Sequence, residues 1–254
     1  MTNKSYFLDL LILSILTSCS SNTHNVFRSL GETNPKKAAM NALTNEQYSD
    51  AVKQLQKHLI NSAQDWEAQG MLANACLKLV GIDEFQLIKI SLSSGSSGGS
   101  SNFLAMSQYF PDPTEANLSL LNLASESLNK IPIDVRTSDQ TYYLGLIEFS
   151  KSLTLAKKLV DISGQPSIEK LSELTEEDAQ TIFTSIDSAS TVLQGVGADK
   201  VGNISEVKQN ILDTPGATLK DKISTYVILQ GGDPTQVPPG TILPTDQNIM
   251  PTEG

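Results

Sequence analysis

Apolar residues recur at the three- and four-residue spacing of helices over most of the chain. Ala51, Val52, Leu55 and Leu59 share one face, as do Met71, Leu72, Ala75, Cys76 and Leu79. Ile182, Phe183, Ile186, Ala189 and Leu193 form a further stripe. Tyr143, Leu144 and Ile147 open a helix expected to run to Val160, and Ile223, Val227 and Leu229 mark a final one. Leu118, Leu121, Ser125 and Leu128 give a mixed face, with Leu120 and Ala124 beside it. Side chains repeating near every 3.6 residues bury together on one side of a helix. No segment alternates apolar and polar residues as a half-buried strand does. The expected class is therefore all-α, over residues 36–230.

Local signals place several helix ends. Thr44-Asn45-Glu46-Gln47 reads as a capping box, in which a hydroxyl accepts an amide and a side chain three residues on reaches back. Thr175 followed by Glu176, Glu177 and Asp178 puts acidic groups at the positive end of a helix. Asp112-Pro113 sets a proline at a first helical position, and Gly195 and Gly231 suit helix stops. Residues 91–101 are almost entirely Ser and Gly and read as a mobile loop. That segment lacks the Gly-Lys-Ser/Thr ending and the preceding strand of a phosphate loop. Residues 231–254 are rich in Pro and Gly and read as a disordered tail; residues 19–35 read as a flexible tether.

Composition narrows the partners. Hydrophobic residues make up 39% of 254 and charged residues only 18%, the balance being largely Ser, Thr, Asn and Gln. Such a polar, weakly charged surface suits an envelope protein. The net charge of −10 repels phosphate backbones, and no basic cluster offsets it locally, so no nucleic acid is expected as a partner. The same charge opposes the body lying flat on anionic lipid, which leaves an anchor as the route to a membrane.

The first residues supply one. Lys4 precedes the apolar run Leu10-Leu11-Ile12-Leu13-Ser14-Ile15-Leu16, too short for a bilayer span of roughly 20 residues but of signal-peptide size. Asp9 borders this run and holds it near the lower limit of such segments. Then comes Leu16-Thr17-Ser18-Cys19, an aliphatic residue, two small ones and a cysteine. This resembles the lipobox of bacterial lipoproteins. The resemblance implies that residues 1–18 are removed, that Cys19 carries diacylglycerol and that its new amine is acylated. Each buried CH₂ contributes about 0.8 kcal/mol, and stable anchoring takes more than one acyl chain. Ser20, rather than Asp, follows the cysteine, which by the same resemblance implies an outer-membrane destination facing the periplasm. A disulfide between Cys19 and Cys76 is allowed by the count of two cysteines, but lipid on Cys19 would preclude it.

An internal repeat organises the body. Ala39 and Ala73 stand 34 residues apart, within the matched patterns Ala38-Ala39-x₂-Ala42 and Leu72-Ala73-x₂-Cys76. Ala51-x₃-Leu55 lies between them. Leu144-Gly145 opens a third candidate, preceded by Leu128 and Pro132. The period and the small residues resemble the tetratricopeptide repeat. The likeness covers residues 36–85 and, more loosely, 118–160. Pro35 and Gln69 stand where that family has Trp, Ala42 and Cys76 where it has Tyr, His58 where it has Ala, and Ala63 where it has Pro. The resemblance implies helical hairpins in an α-solenoid or irregular bundle, with small residues where helices cross. Ala38, Ala39, Ala51, Leu55, Leu72, Ala73 and Cys76 are then packing positions. Ala68, just ahead of the second motif, is expected to be less enclosed.

Chemistry is sparse. No nucleophile elbow, Walker loop, dinucleotide fingerprint or His-Glu-x-x-His occurs. Only His24 and His58 are present. Cys76, among Leu72, Ala75 and Leu79, reads as a small buried residue. Glu173, Glu176, Glu177 and Asp178 read as a helix start, not a calcium loop, and Trp66, Tyr142 and Tyr143 as packing. No catalytic residue, metal or cofactor is expected. The expected function is a lipid-anchored scaffold that holds another envelope protein, the alternative being a small-ligand-binding accessory subunit of a transport system. Cys19→Ala is expected to abolish lipid labelling and leave an uncut or mislocalised precursor. Mass spectrometry of the native N-terminus checks this, and an unmodified Cys19 inside an intact chain would refute it.

Overall fold

A computed structural model of the chain describes residues 34–83, 101–161, 165–197 and 204–230. It is all-α, as the spacing predicts. Among the described residues the helices are α1 (Pro35–Thr44), α2 (Tyr48–Asn61), α3 (Trp66–Val80), α4 (Ser101–Ser107), α5 (Glu115–Asn129), α6 (Ser138–Ala156), α7 (Ile168–Glu173), α8 (Glu176–Gly195), α9 (Ile204–Asp213) and α10 (Leu219–Gln230). A 3₁₀ turn, Lys157–Leu159, extends α6, and the only β pairing among the described residues is an isolated bridge between Val160 and Pro166.

The starts follow from short polar side chains that accept amides the helix leaves open. Asn34 caps α1 by accepting from Lys36 N and Lys37 N, with Pro35 in the first turn, one residue ahead of the expected start. Asp65 caps α3 and Thr114 caps α5. Thr137 and Gln140 form a full capping box on α6, and Thr175 caps α8 as expected. Gly81 ends α3 at φ 85°, a conformation glycine adopts without strain.

Three local readings need correction. Thr44 is the last residue of α1, where its hydroxyl donates to Met40 O, and α2 begins behind Gln47 with no side-chain cap. Both helices compete for those four residues, and the turn between them puts Glu46 at φ 58°. Pro113 lies outside α5, because the Thr114 hydroxyl takes the cap. Ser101 belongs to α4 rather than to the Ser/Gly loop; residues 91–100 of that loop lie outside the described residues, as do 1–33 and 231–254.

Neighbours in sequence are mostly neighbours in space. The packing runs α1 on α2, α2 on α3, α3 on α5, α5 on α6, and α6 on α8, with α9 and α10 closing over α8 and α4 against α6. Directions alternate. Lys36 of α1 reaches Asp65 and Glu67, so α1 and α3 start at one end. Gly70 lies beside Gln140, so α6 starts there too, and Gly145 meets Leu193 near the C-terminus of α8, which therefore runs the other way.

The core sits on α6. From Leu144 to Ala156 every residue but Lys151 is buried. Apolar side chains face neighbours all round, Phe149 against Phe103 with ring centroids 6.4 Å apart. Ser150 and Ser152 are buried because their hydroxyls donate back to Leu146 O and Phe149 O. Of the residues marked by the repeat, Ala39, Ala51, Leu55, Leu72, Ala73 and Cys76 are buried, and Ala38 is half-buried. Ala68 is fully buried too, against expectation, because the first turn of α3 is enclosed as well as its middle.

Ala73→Leu should therefore overpack the surroundings of α3, at about 1–3 kcal/mol. Ala116, exposed in the first turn of α5, is the fitting comparison, since Ala and Leu have similar helix propensity. Urea melts of the two variants should differ by that amount. Equal, negligible shifts would remove close packing at Ala73 as a feature of the fold.

Candidate binding groove

Two open depressions mark the described surface. One, of about 370 Å³, lies between α1 and α3. Leu43 and Met71 form its apolar walls, Tyr48 closes one side, Gly70 leaves space, and Asn74 and Lys78 supply polar groups. The helical spacing 70, 71, 74, 78 puts four of these residues on one face of α3, opposite the buried face. Lys78 Nζ also lies 3.6 Å from Asp83. The other depression, about 630 Å³, lies between α2 and α5 and is more polar, with Gln56, Asn122, Glu126 and Lys158 around Leu118 and Leu123.

Below the first groove the ends of α1, α2 and α3 meet on Asp65. Its Oδ2 accepts from Lys36 Nζ at 2.9 Å and from His58 Nε2 at 2.9 Å, while Oδ1 accepts from Lys36 Nζ and from Ala68 N, each at 3.0 Å. A carboxylate only accepts, so the His58 proton sits on Nε2. Lys36 also reaches Glu67 at 2.6 Å. Glu67 and then Asp65 raise the Lys36 pKa. For Asp65 partial burial pulls upward, but the Lys36, Ala68 and His58 hydrogen bonds outweigh it and hold its carboxyl at about 2.

The other candidates resolve into packing. Cys76 is a free, buried thiol, and burial pushes it up to about 12, far from the thiolate a nucleophile needs. Trp66, Tyr142 and Tyr143 lie half-buried against the core. Of the acidic group, Glu176, Glu177 and Asp178 form the first turn of α8, as read, but Glu173 is the last residue of α7. Asp178 bonds Lys158 Nζ at 2.8 Å, which lowers its pKa. Glu176 accepts the amides of Leu219 and Lys220 and so caps the first turn of α10. Among the described residues no three His, Cys, Asp or Glu side chains converge as metal ligands. His24 and the lipobox residues Leu16, Thr17, Ser18 and Cys19 lie outside the described residues.

Comparison with protein-family models, curated proteins and solved structures finds no match. The groove residues therefore stand on geometry alone. The repeat pattern points to α1 and α3 but not to the groove: Asn74 and Lys78 sit opposite the buried face of α3, while Leu43 and Tyr48 lie on the edges of the apolar faces of α1 and α2. Asp65 was legible in principle: an acidic residue directly before Trp66-Glu67 is an N-cap signal.

The Asp65 carboxylate sits below its unfolded value of 3.8, so its contribution to stability is complete above that pH and disappears as pH falls toward about 2. Asp65→Asn keeps a capping oxygen and removes the charge. It should lower stability at neutral pH, with a deficit that shrinks through that window. Asp65→Ala should cost more, because the cap itself contributes about 0.5–2 kcal/mol. Urea melts across pH check both; a deficit that does not vary with pH would contradict the assignment.

Proposed function

We propose that this chain is an envelope lipoprotein, anchored by acyl chains on Cys19, whose helical body holds another protein. The anchor rests on Leu16–Cys19 and the apolar run before it. Binding, rather than catalysis, is supported by where the reactive side chains lie: His58 is tied to Asp65, and Cys76 is sealed in the core. No described helix is long and apolar enough to cross a membrane.

The observation that carries the scaffold reading is the groove between α1 and α3. Leu43, Tyr48 and Met71 offer apolar contact, and Lys78, beside Asp83, offers a cation at the rim. An apolar side chain next to a carboxylate on a partner segment matches that set. The groove lies where the first helices of two successive hairpins, α1 and α3, start at the same end and run side by side, as stacked repeats place them. A small molecule in either depression would keep much of its surface in water, so the transport-subunit alternative draws no support from them.

A photo-crosslinking residue in place of Met71, in intact cells, should give one discrete adduct, and Lys78→Glu should weaken it several-fold. The same probe at Ile168, exposed on α7, should give none. Equal yield at both positions, or an adduct indifferent to Lys78, would count against a groove-bound partner.

A further inference from the structure

The alternating helices give the body two unlike ends. One end collects the starts of α1, α3 and α6, the C-terminus of α2, and the α5–α6 loop. Lys36 beside Asp65 and Glu67 ties α1 to α3 there, the turn at 62–65 joins α2 to α3, and Gln140, three residues past the loop, lies against Gly70. The two most exposed large apolar side chains stand at this end: Ile133, 86% exposed in the loop, and Ile60, 80% exposed on the last turn of α2. Val135 adds a third. Such residues in water are a standing cost unless something apolar covers them.

The chain also enters the body at this end, at Asn34. Fourteen residues lie between Cys19 and Asn34, and in any conformation that stretch spans at most about 50 Å. An acyl anchor on Cys19 therefore keeps this end within reach of the bilayer. Charge points the same way. Around the isoleucines Lys37, Lys130 and Arg136 offset Glu67, Asp134 and Asp139. At the far end the anionic groups gather: Glu115, Glu173, Glu176, Glu177, Asp213 and Asp221. Lys157 and Lys158 there are paired with Asp112 and Asp178, and Lys170, Lys220 and Lys222 are too few to balance the six anions.

We propose that the body stands end-on to the membrane, with Ile133 and Ile60 seated at the boundary between headgroups and acyl chains and the acidic end directed away. This rests on the lipid-anchor reading and adds an orientation to it. The contact is apolar, so it does not need the basic face that an electrostatic membrane contact requires.

The test uses the full lipidated protein in vesicles of phosphatidylethanolamine and phosphatidylglycerol containing doxyl-labelled phosphatidylcholine. An environment-sensitive fluorophore is placed on Ile133→Cys, Ile60→Cys, Tyr109→Cys or Leu212→Cys, one at a time; Cys76 is fully buried and does not compete for the label. Tyr109 and Leu212 lie at the far end. Quenching should be several-fold greater at positions 133 and 60 than at 109 and 212, and unchanged in high salt. The label on Val135→Cys should lose most of its quenching when Ile60→Asp and Ile133→Asp are added, while the protein still floats with the vesicles. Flotation with equal quenching at both ends, or with labels at 133 and 60 shielded but unquenched, as a protein cover would leave them, overturns the orientation and leaves the anchor standing. A protein that neither floats nor carries lipid on Cys19 overturns both.

Discussion

Helix α6 is buried at every one of its last thirteen residues except Lys151, and the rest of the body is arranged to make that possible. A helix buried on every side needs partners on every side, and α4, α5 and α8 supply them. The closest approach is at Gly145, where a Cβ would lie 2.6 Å from Leu193 Cδ2. Glycine inside a helix costs about 1 kcal/mol relative to alanine, so it persists here because the crossing leaves no space for a side chain. Buried polar residues in α6, apart from Thr154, whose hydroxyl has no partner, are accommodated by two routes. Ser150 and Ser152 bond their own helix, and Glu148 accepts from Ser125 across the α5 interface, where Asn129 also donates to that serine. An unpartnered carboxylate in that place would be far more costly than the hydrogen bond is favourable.

Much of this was legible from spacing, and the failures have identifiable causes. The stripes at 51–59, 71–79 and 182–193 are buried along most of their length, because amphipathic helices on the outside of a bundle keep a 3.6-residue signal, but Met71 is only half-buried and Leu79 is exposed. α6 loses that signal where it is buried all round: Ser150, Ser152 and Thr154 interrupt its apolar run and gave no sign of enclosure. The short helices α7 and α9 escaped because six to ten residues hold too few repeats of the pattern to distinguish it from a loop. Thr44–Gln47 misled because the hydroxyl read as opening α2 already closes α1. For the groove, the sequence marks which helices pack but not which outward residues frame a depression, since that depends on how α1 and α3 lie side by side. The end-on polarity was hidden in a similar way: Ile60 and Ile133 are 73 residues apart, and only the alternation of helix direction brings them to one end.

Asp65 joins these features. It caps α3, holds the start of α1 through Lys36, and receives the end of α2 through His58. Three helices are thus fixed at the end where the chain enters the body. The groove between α1 and α3 inherits its width from that junction, since the two helices are held together there and their facing residues follow. A junction built on one carboxylate is stable wherever that carboxylate is ionised, and a value near 2 keeps it so over any ordinary physiological pH.

A groove of about 370 Å³, open to water, is a weak site by itself. Anchoring changes what a weak site can do. A protein and partner confined to one membrane meet at an effective concentration that reaches the millimolar range for short tethers, so a contact negligible in solution becomes occupied without any new interaction. Confinement of this kind helps only if the groove is presented in a consistent direction. An end-on seat on Ile60 and Ile133 would do that, since it leaves the walls of the helical body, including the α1–α3 face, facing sideways along the membrane and clear of the lipid. The proposed anchor, the apolar end and the shallow groove are then parts of one arrangement, in which position at the membrane supplies the affinity that surface chemistry does not.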